Sequence, residues 1–421
     1  MQILHIASSL DSRDGGAAMA CSALCRELAR QGHEVEIYTT FVRGRRDDWR
    51  NYAGDLSQFT VRAFPVRTKM CDVSLGLYKA LAKSVRTADV VHIHGIYRFN
   101  FIAGVRWSRH YQVPYVVKPH GSLDPFSYRV RRWRKWPFEK LVIAPAMAHA
   151  GAVQFTAEEE MLLAASTGLF RAGNHKPVFN AVIVPEGLDL SDSSSQLEAP
   201  DFAQLFPQTA GKRVILFLGR INFKKGLDIL AKAYGIVRRV SPDTHLVIAG
   251  PDNEGYEATV RRCLEIEGLT PHVTFTGMLV GAAKSAAFKA ANVFVLPSYT
   301  ENFGLVLCEA MQYSLPVVVS NKVNIWREIA GADAGVVVEC APSQVAEAIL
   351  SLLEKPELAR AMGERGKRLV RERYGMESVA QQMLNVYQRL VADYSWNNAQ
   401  PKRVLKRRSR NIASNVRDDR V

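Results

Sequence analysis

Residues 296–310 read Leu-Pro-Ser-Tyr-Thr-Glu-Asn-Phe-Gly-Leu-Val-Leu-Cys-Glu-Ala. The hydrophobic run over 292–297 predicts a strand, the polar residues after it a loop, and Phe303-Gly304 the opening of an apolar helix. Glu301 falls in the loop, and Glu309 falls eight residues later in the helix, among Leu307, Cys308, Ala310 and Met311. A carboxylate is costly to bury unless something pairs with it or hydrogen-bonds to it. Two of them at a strand-to-helix junction therefore want partners, and sugar hydroxyls are suitable ones. The helix start offers free N–H groups and the positive end of its dipole to a phosphate, and Gly304 lets a ligand come close to the backbone. The junction reads as a sugar-phosphate site. The competing readings are a solvated loop residue for Glu301 and a surface helix residue for Glu309; the apolar neighbours of Glu309 speak against the second.

Outward from this junction, short apolar runs alternate with helical patterns along most of the chain. The first series has strands over 2–8, 34–40, 60–65, 90–94 and 115–118, with weaker ones over 152–155 and 182–185. Its helices cover 17–31, 75–87 and 100–110. A polar, serine-rich stretch over 186–202 reads as a linker. A second series then runs from a strand over 213–218 to helices over 343–354 and 357–374. Apolar strands between amphipathic helices indicate parallel sheets buried on both faces. Two doubly wound units place a ligand in the crevice at the C-terminal ends of their strands.

Composition agrees with this and narrows the partners. A chain of 421 residues exceeds the size at which one core usually stops growing, and 48% hydrophobic with 23% charged residues is ordinary for a globular protein. No apolar run reaches the roughly 18 residues of a membrane span, and the first residues read as a strand rather than a signal peptide. The six cysteines, at 21, 25, 71, 263, 308 and 340, form no zinc spacing or disulfide framework, which fits a reducing cytoplasm. Cys21 and Cys25, at i,i+4 on an apolar face, read as core. The net charge of +14 is uneven: +8 over residues 1–189, zero over 190–395 and +6 over 396–421. An anionic partner is expected at the N-terminal half and the tail, either a membrane surface or a nucleic acid.

Four further patterns carry chemistry. In FLGRINFKKG, Arg220 and Lys225 flank a turn between a strand and a helix. An arginine grips phosphate oxygens in pairs and a lysine adds a point charge, so the two suit a diphosphate and the charge that develops as it leaves; a basic solvated loop is the alternative. Gly15 and Gly16 make a strand-to-helix turn that admits an anion or sugar or merely turns the chain; without a third glycine it is no dinucleotide fingerprint. His120-Gly121 follows the strand over 115–118, where such sheets bind ligands, although structural histidines are common. His92 and His94 share one strand face, no third metal ligand is placed by the sequence, and they read as structural, with His94 at the cleft edge. Gly250 and Leu279 follow two further strands at their cleft ends. Finally, FSYRVRRWRKWPFEKLV, over 126–142, interleaves aromatics with six basic residues. As a helix it would align Phe126, Val130 and Trp133, and such a segment can lie in an anionic membrane interface; a solvated helix with core-facing tryptophans is the alternative, and no nucleic-acid fold signature favours RNA.

Taken together, the Gly-Gly turn, the H-G-x-x-D-P segment at His120, the R-x4-K-G turn at Arg220 and Lys225 and the E-x7-E pair Glu301–Glu309 resemble glycosyltransferase family 4, over about residues 1–395 and in the family's order. The resemblance implies a GT-B fold, α/β, with two Rossmann-like domains facing a central cleft. The expected domains are an acceptor-binding one over 1–186 and a nucleotide-sugar-binding one over 187–375. A helix over 376–395 returns to the first domain, and a basic disordered tail covers 396–421. It implies sugar transfer from a nucleotide-diphosphate-sugar with retention at the anomeric carbon. Glu309 would hold the ribose, and Glu301 with the Phe303–Leu305 backbone would hold the sugar. Gly15, Gly16, Gly250 and Leu279 would border the donor, and the leaving diphosphate could itself take the acceptor's proton. With no D-x-D sequence, Arg220 and Lys225 take the electrostatic role, and no metal or other cofactor is expected. Glu301, His120, Arg220 and Lys225 are the expected catalytic set. The expected setting is a bacterial surface-polysaccharide or exopolysaccharide enzyme at the inner face of the plasma membrane, with a lipid-linked glycan acceptor and no nucleic acid. A UDP-sugar epimerase and a silent sugar-nucleotide-binding scaffold remain as alternatives.

Overall fold

The computed structural model describes residues 1–10, 16–41, 58–66, 72–129, 132–167, 179–190, 199–252 and 254–399. The first series of apolar runs becomes a seven-stranded parallel sheet in the order β3-β2-β1-β4-β5-β6-β7. Its strands are β1 (Gln2–Ile6), β2 (Glu34–Phe41), β3 (Thr60–Pro65), β4 (Val90–His94), β5 (Tyr115–Lys118), β6 (Ala152–Phe155) and β7 (Ala181–Ile183). The second series becomes a six-stranded parallel sheet, β10-β9-β8-β11-β12-β13. Here the strands are β8 (Arg213–Leu218), β9 (Thr244–Ala249), β10 (Val273–Gly277), β11 (Ala291–Leu296), β12 (Val317–Ser320) and β13 (Gly335–Val338). Strands such as β4, β5, β9 and β12 are buried along their whole length, because helices cover both faces of each sheet. The strand order reverses between β1 and β4 in one sheet and between β8 and β11 in the other, so each domain has a topological switch point. The expected α/β architecture of two doubly wound units is the one the chain adopts.

The connection between the units differs from a solvated linker. Glu186 is buried and ion-paired with Lys118 at 2.8 Å. Leu188 then pairs with Gly375: its N–H donates to the Tyr374 carbonyl at 2.7 Å, and Met376 N–H donates back to Leu188 at 2.9 Å. The two passages of the chain between the domains thus lie side by side. Residues 191–198, the serine-rich part, lie outside the described residues. Beyond Gly375 the helix Met376–Ala399 runs past the expected end at 395. Its Met376, Val379, Ala380, Met383, Tyr387 and Leu390 join Ile3, Leu24, Leu28 and Val35 in one buried cluster, covering the first sheet. The rest of the basic tail, 400–421, and residues 42–57, with arginines at 43, 45, 46 and 50, lie outside the described residues.

Over the 126–142 segment, residues 130 and 131 lie outside the described residues. Around them stand helices Pro125–Arg129 and Arg132–Phe138, followed by a wide π-helical turn, Glu139–Ile143. Val130 of the expected Phe126–Val130–Trp133 row lies outside the described residues. No helix among the described residues is long and apolar enough to cross a membrane.

Candidate active site

On the second domain, β8 leads into the turn that carries Arg220 and Lys225. Ile221 anchors that turn: its side chain is buried and its N–H donates to the Pro251 carbonyl at 2.9 Å. Phe223 stacks on Tyr299 with ring centroids 5.0 Å apart, and the Tyr299 hydroxyl donates to Asp228 at 2.8 Å. Gly226 closes the turn at φ +65°, and a Cβ on it would overlap the Pro297 carbonyl oxygen. The turn is thereby pressed onto the end of β11. Gly226→Ala combines left-handed strain with a backbone clash and is expected to cost about 2–4 kcal/mol. Gly255→Ala, at φ +72° but facing open space, carries only the strain, about 1–2 kcal/mol. Urea unfolding of both variants checks the difference, and equal losses would show that the Pro297 contact is not what demands glycine.

Lys225 Nζ forms an ion pair with Glu301, across the gap between the β8 turn and the loop after β11. Glu301 is fixed by its own backbone: its N–H donates to Lys322 O at 3.1 Å, and its carbonyl accepts from Asn324 N–H at 3.1 Å. Arg220 stands exposed beside them. Two residues on, Phe303 is buried with its ring edge-on to Tyr374 at 5.3 Å, so it offers the cleft backbone rather than ring. Gly304 caps helix Leu305–Gln312 at φ +78°, with no side chain bonded to the helix start. That leaves the first amides to a ligand.

The first domain supplies the opposite wall. His120, after β5, sits at φ +51° and packs its ring on His94, with Nε2 3.0 Å from His94 Nδ1. Its Nδ1 lies 3.8 Å from Glu186. Burial, and secondarily the Lys118 ammonium, hold the His120 imidazole well below its usual pKa, so it is neutral and able to hydrogen-bond a hydroxyl. Gly121 N–H donates to Glu160 at 3.0 Å, and a Cβ on Gly121 would crowd Asn302 Oδ1 at 2.9 Å. His120, Gly121 and Asp124 from one domain and Arg220, Lys225, Glu301 and Asn302 from the other line one cleft of about 200 Å³. Asn222, Lys224, Thr300 and Asn324 complete its lining. Gly16, the first residue of helix Gly16–Arg30, faces Leu305 with 3.8 Å between a Cβ built on it and Leu305 Cδ1. The first described turn of helix Gly16–Arg30 thus approaches the start of helix Leu305–Gln312, whose dipole favours an anion. Gly15 lies outside the described residues.

Other expected residues stand apart from this cleft. Glu309 is half-buried and pairs with Lys284 at 2.7 Å, a partner on helix Gly281–Ala290 that nothing in the sequence marks. Leu279 packs against the core of the second domain. Gly250 is set directly behind the β8 turn: a Cβ there would overlap the Gly219 carbonyl oxygen. Sequence reasoning also missed Asn302 and Asn324. Asn302 adjoins Glu301 and was legible as a polar loop residue, whereas Asn324 arrives from beyond β12.

One exposed surface borders the cleft. Lys224 Nζ sits 5.4 Å from the centre of the Phe126 ring. Beyond Phe126, Trp133 and Leu141 are 74% and 78% exposed, far more than core-facing residues would be. Lys140 lies over the Trp136 ring at 4.8 Å, and Arg132 over Tyr128 at 5.0 Å.

The sequence matches the model for "Glycosyl transferases group 1" over residues 202–369 and that for the "Glycosyl transferase 4-like domain" over 15–180. It is 26% identical over 399 residues to the D-inositol 3-phosphate glycosyltransferase of Paenarthrobacter aurescens strain TC1, covering 90% of this chain and 94% of that one. It is 32% identical over 219 residues to the phosphatidyl-myo-inositol mannosyltransferase of Mycobacterium leprae, about half of each chain (51% and 55%). Among solved structures, Anabaena Alr3699/HepE in complex with UDP and glucose superposes with a TM-score of 0.73 at 16% identity, over 92% of this chain and 100% of that one. Sucrose-phosphate synthase from Thermosynechococcus elongatus gives 0.70 at 22% identity, over 93% and 100%.

Proposed function

Because the chain belongs to the group 1 glycosyltransferases and has the GT-B fold, we propose that it moves a hexosyl unit from a nucleotide-diphosphate-sugar to a lipid-linked glycan acceptor, with retention and without a metal at the diphosphate. The reading rests above all on the shared cleft, where Arg220, Lys225 and Glu301 face His120. A diphosphate held there needs no divalent cation to offset its charge. As donor binds, its phosphate takes Lys225 from Glu301, freeing that carboxylate for the sugar hydroxyls. The anomeric carbon–oxygen bond to the diphosphate breaks, the acceptor oxygen bonds the same face of that carbon, and the acceptor's proton passes to the leaving diphosphate. His120, neutral, hydrogen-bonds the sugar, and Glu309, with Lys284 beside it, takes the ribose.

The relatives' names include both an inositol phosphate and a phosphatidylinositol acceptor. The exposed Trp133, Trp136 and Leu141 with Arg132 and Lys140 support the lipid one. Rings at headgroup depth and cations on lipid phosphate would hold the cleft mouth against the inner leaflet of a membrane, in keeping with surface-polysaccharide or exopolysaccharide synthesis. Replacing Trp133, Trp136 and Leu141 together by alanine is expected to abolish co-sedimentation with anionic vesicles while donor binding persists. Wild-type binding should also weaken as salt rises. Vesicle binding unchanged in the triple variant would remove the membrane part of the proposal.

The donor is tested by thermal shift against UDP-, GDP-, ADP- and dTDP-sugars with and without magnesium. UDP-sugars come first because HepE was solved with UDP and UDP-glucose. Stabilisation by one base, unaffected by magnesium, supports the reading. Free epimerised sugar nucleotide formed without acceptor would make the protein an epimerase. Tight binding with no turnover would make it a scaffold.

A further inference from the structure

Behind His120, between helix Gly16–Arg30, β1, β4 and helix Met376–Ala399, lies a water-excluded group of His5, His92, His94, Cys21 and Cys25, all buried. β1 and β4 pair with His5 opposite His92, and the helical i,i+4 spacing aims both thiols at the same point. His5 Nδ1 is 3.0 Å from His94 Nε2, and Cys21 Sγ is 3.5 Å from that same nitrogen. The donor atoms of His5, Cys21 and Cys25 all lie within 4.8 Å of one another. Two ring nitrogens, His5 Nε2 and His92 Nε2, are buried with no hydrogen-bond partner among the described residues. A buried polar atom left unpaired costs about 1–3 kcal/mol, so this is an expensive cluster for a core to hold; the atoms at ligand spacing within it are His5 Nδ1, His94 Nε2 and Cys21 Sγ.

We propose that His5, His94, Cys21 and Cys25 bind a zinc ion. Two imidazoles and two thiolates are a donor set that zinc takes in tetrahedral geometry. Zinc–nitrogen and zinc–sulfur bonds of about 2.0–2.3 Å set the tetrahedron's edges at about 3.3–3.8 Å; His94 meets His5 and Cys21 at 3.0 and 3.5 Å, and Cys25, within 4.8 Å of His5 and Cys21, reaches the fourth corner by a small side-chain shift. His92 stays outside the set, because its Nδ1 is engaged with the Tyr387 hydroxyl at 2.7 Å; Tyr387 closes the site from the last helix. The site is separate from the diphosphate and leaves the metal-free donor cleft as described. Its link to the cleft is His94. With Nε2 on the metal, its Nδ1 must carry the proton, which it donates to His120 Nε2, 3.0 Å away. The metal thereby fixes the tautomer of a cleft residue, and His94 is a positioning residue.

The test uses the full chain, free of any histidine tag and purified without chelator, analysed for metal by mass spectrometry. Stoichiometric zinc is expected. After exchange with cobalt(II), the visible bands of tetrahedral cobalt and a near-ultraviolet thiolate-to-cobalt charge-transfer band should appear. Cys21→Ser with Cys25→Ser should lose the charge-transfer band and retain less than a tenth of the metal. Cys263→Ser with Cys340→Ser should keep both. Wild-type protein that carries no zinc as isolated and gives no thiolate-to-cobalt band on reconstitution would overturn the proposal, whether or not the cysteine variants fold. So would an undiminished band in the Cys21/Cys25 variant.

Discussion

Lys225→Ala is expected to lower kcat about 10²–10³-fold, the usual consequence of removing a charge aimed at a developing anion in a preorganised cleft. The ammonium is positioned by a turn pinned at Ile221, Phe223 and Gly226, which holds it against Glu301. Lys224 is the internal control. It lines the same cleft, but its ammonium sits over the Phe126 ring. Lys224→Ala should therefore cost far less, within about tenfold, and mostly in KM for the acceptor. The two variants are compared by initial rates with saturating donor. Comparable losses in kcat would mean that the diphosphate is not gripped by the turn as proposed.

The second large effect falls on stability. Lys118→Met is expected to destabilise the protein by about 3–5 kcal/mol, because it leaves the Glu186 carboxylate buried and uncompensated. The ion pair is closed at 2.8 Å, with both side chains less than a tenth exposed. Attraction in such a pair roughly repays its desolvation, so Lys118→Met with Glu186→Leu should recover most of the loss. Urea unfolding of the two single variants and the double one makes the cycle. A double variant no better than Lys118→Met would show that the cost arises from packing rather than from an unpaired charge.

The two sheets were legible because strands covered on both faces must be apolar throughout. Runs such as 115–118 and 317–320 have no other explanation between helical patterns. The junction at Glu301 was legible for a related reason: carboxylate, glycine and apolar helix follow one another locally. What escaped was set by register rather than by neighbours. Glu186 opens a serine-rich stretch and looked solvated, yet its partner Lys118 ends β5, a strand formed far earlier in the chain. His92 and His94 showed their shared face, but the third histidine comes from β1, brought beside β4 although two strands intervene in sequence. Lys284 reaches Glu309 from another helix in the same way. In the 126–142 segment, Pro137 lies inside the helix Arg132–Phe138, and the chain widens into a π-helical turn just after it, a local change that amphipathic composition does not reveal.

The helix Met376–Ala399 has a consequence for biosynthesis. A face of the first sheet, with Ile3, Val35 and Val184, is roofed by side chains that the ribosome adds only after the whole second domain. At about 5–20 residues per second, the interval between completing β7 and delivering Leu390 is on the order of ten to forty seconds. Throughout it, the nascent chain presents an open apolar surface, the kind that chaperones hold and that misassembles when they do not. The first domain is thus begun before the second and completed after it.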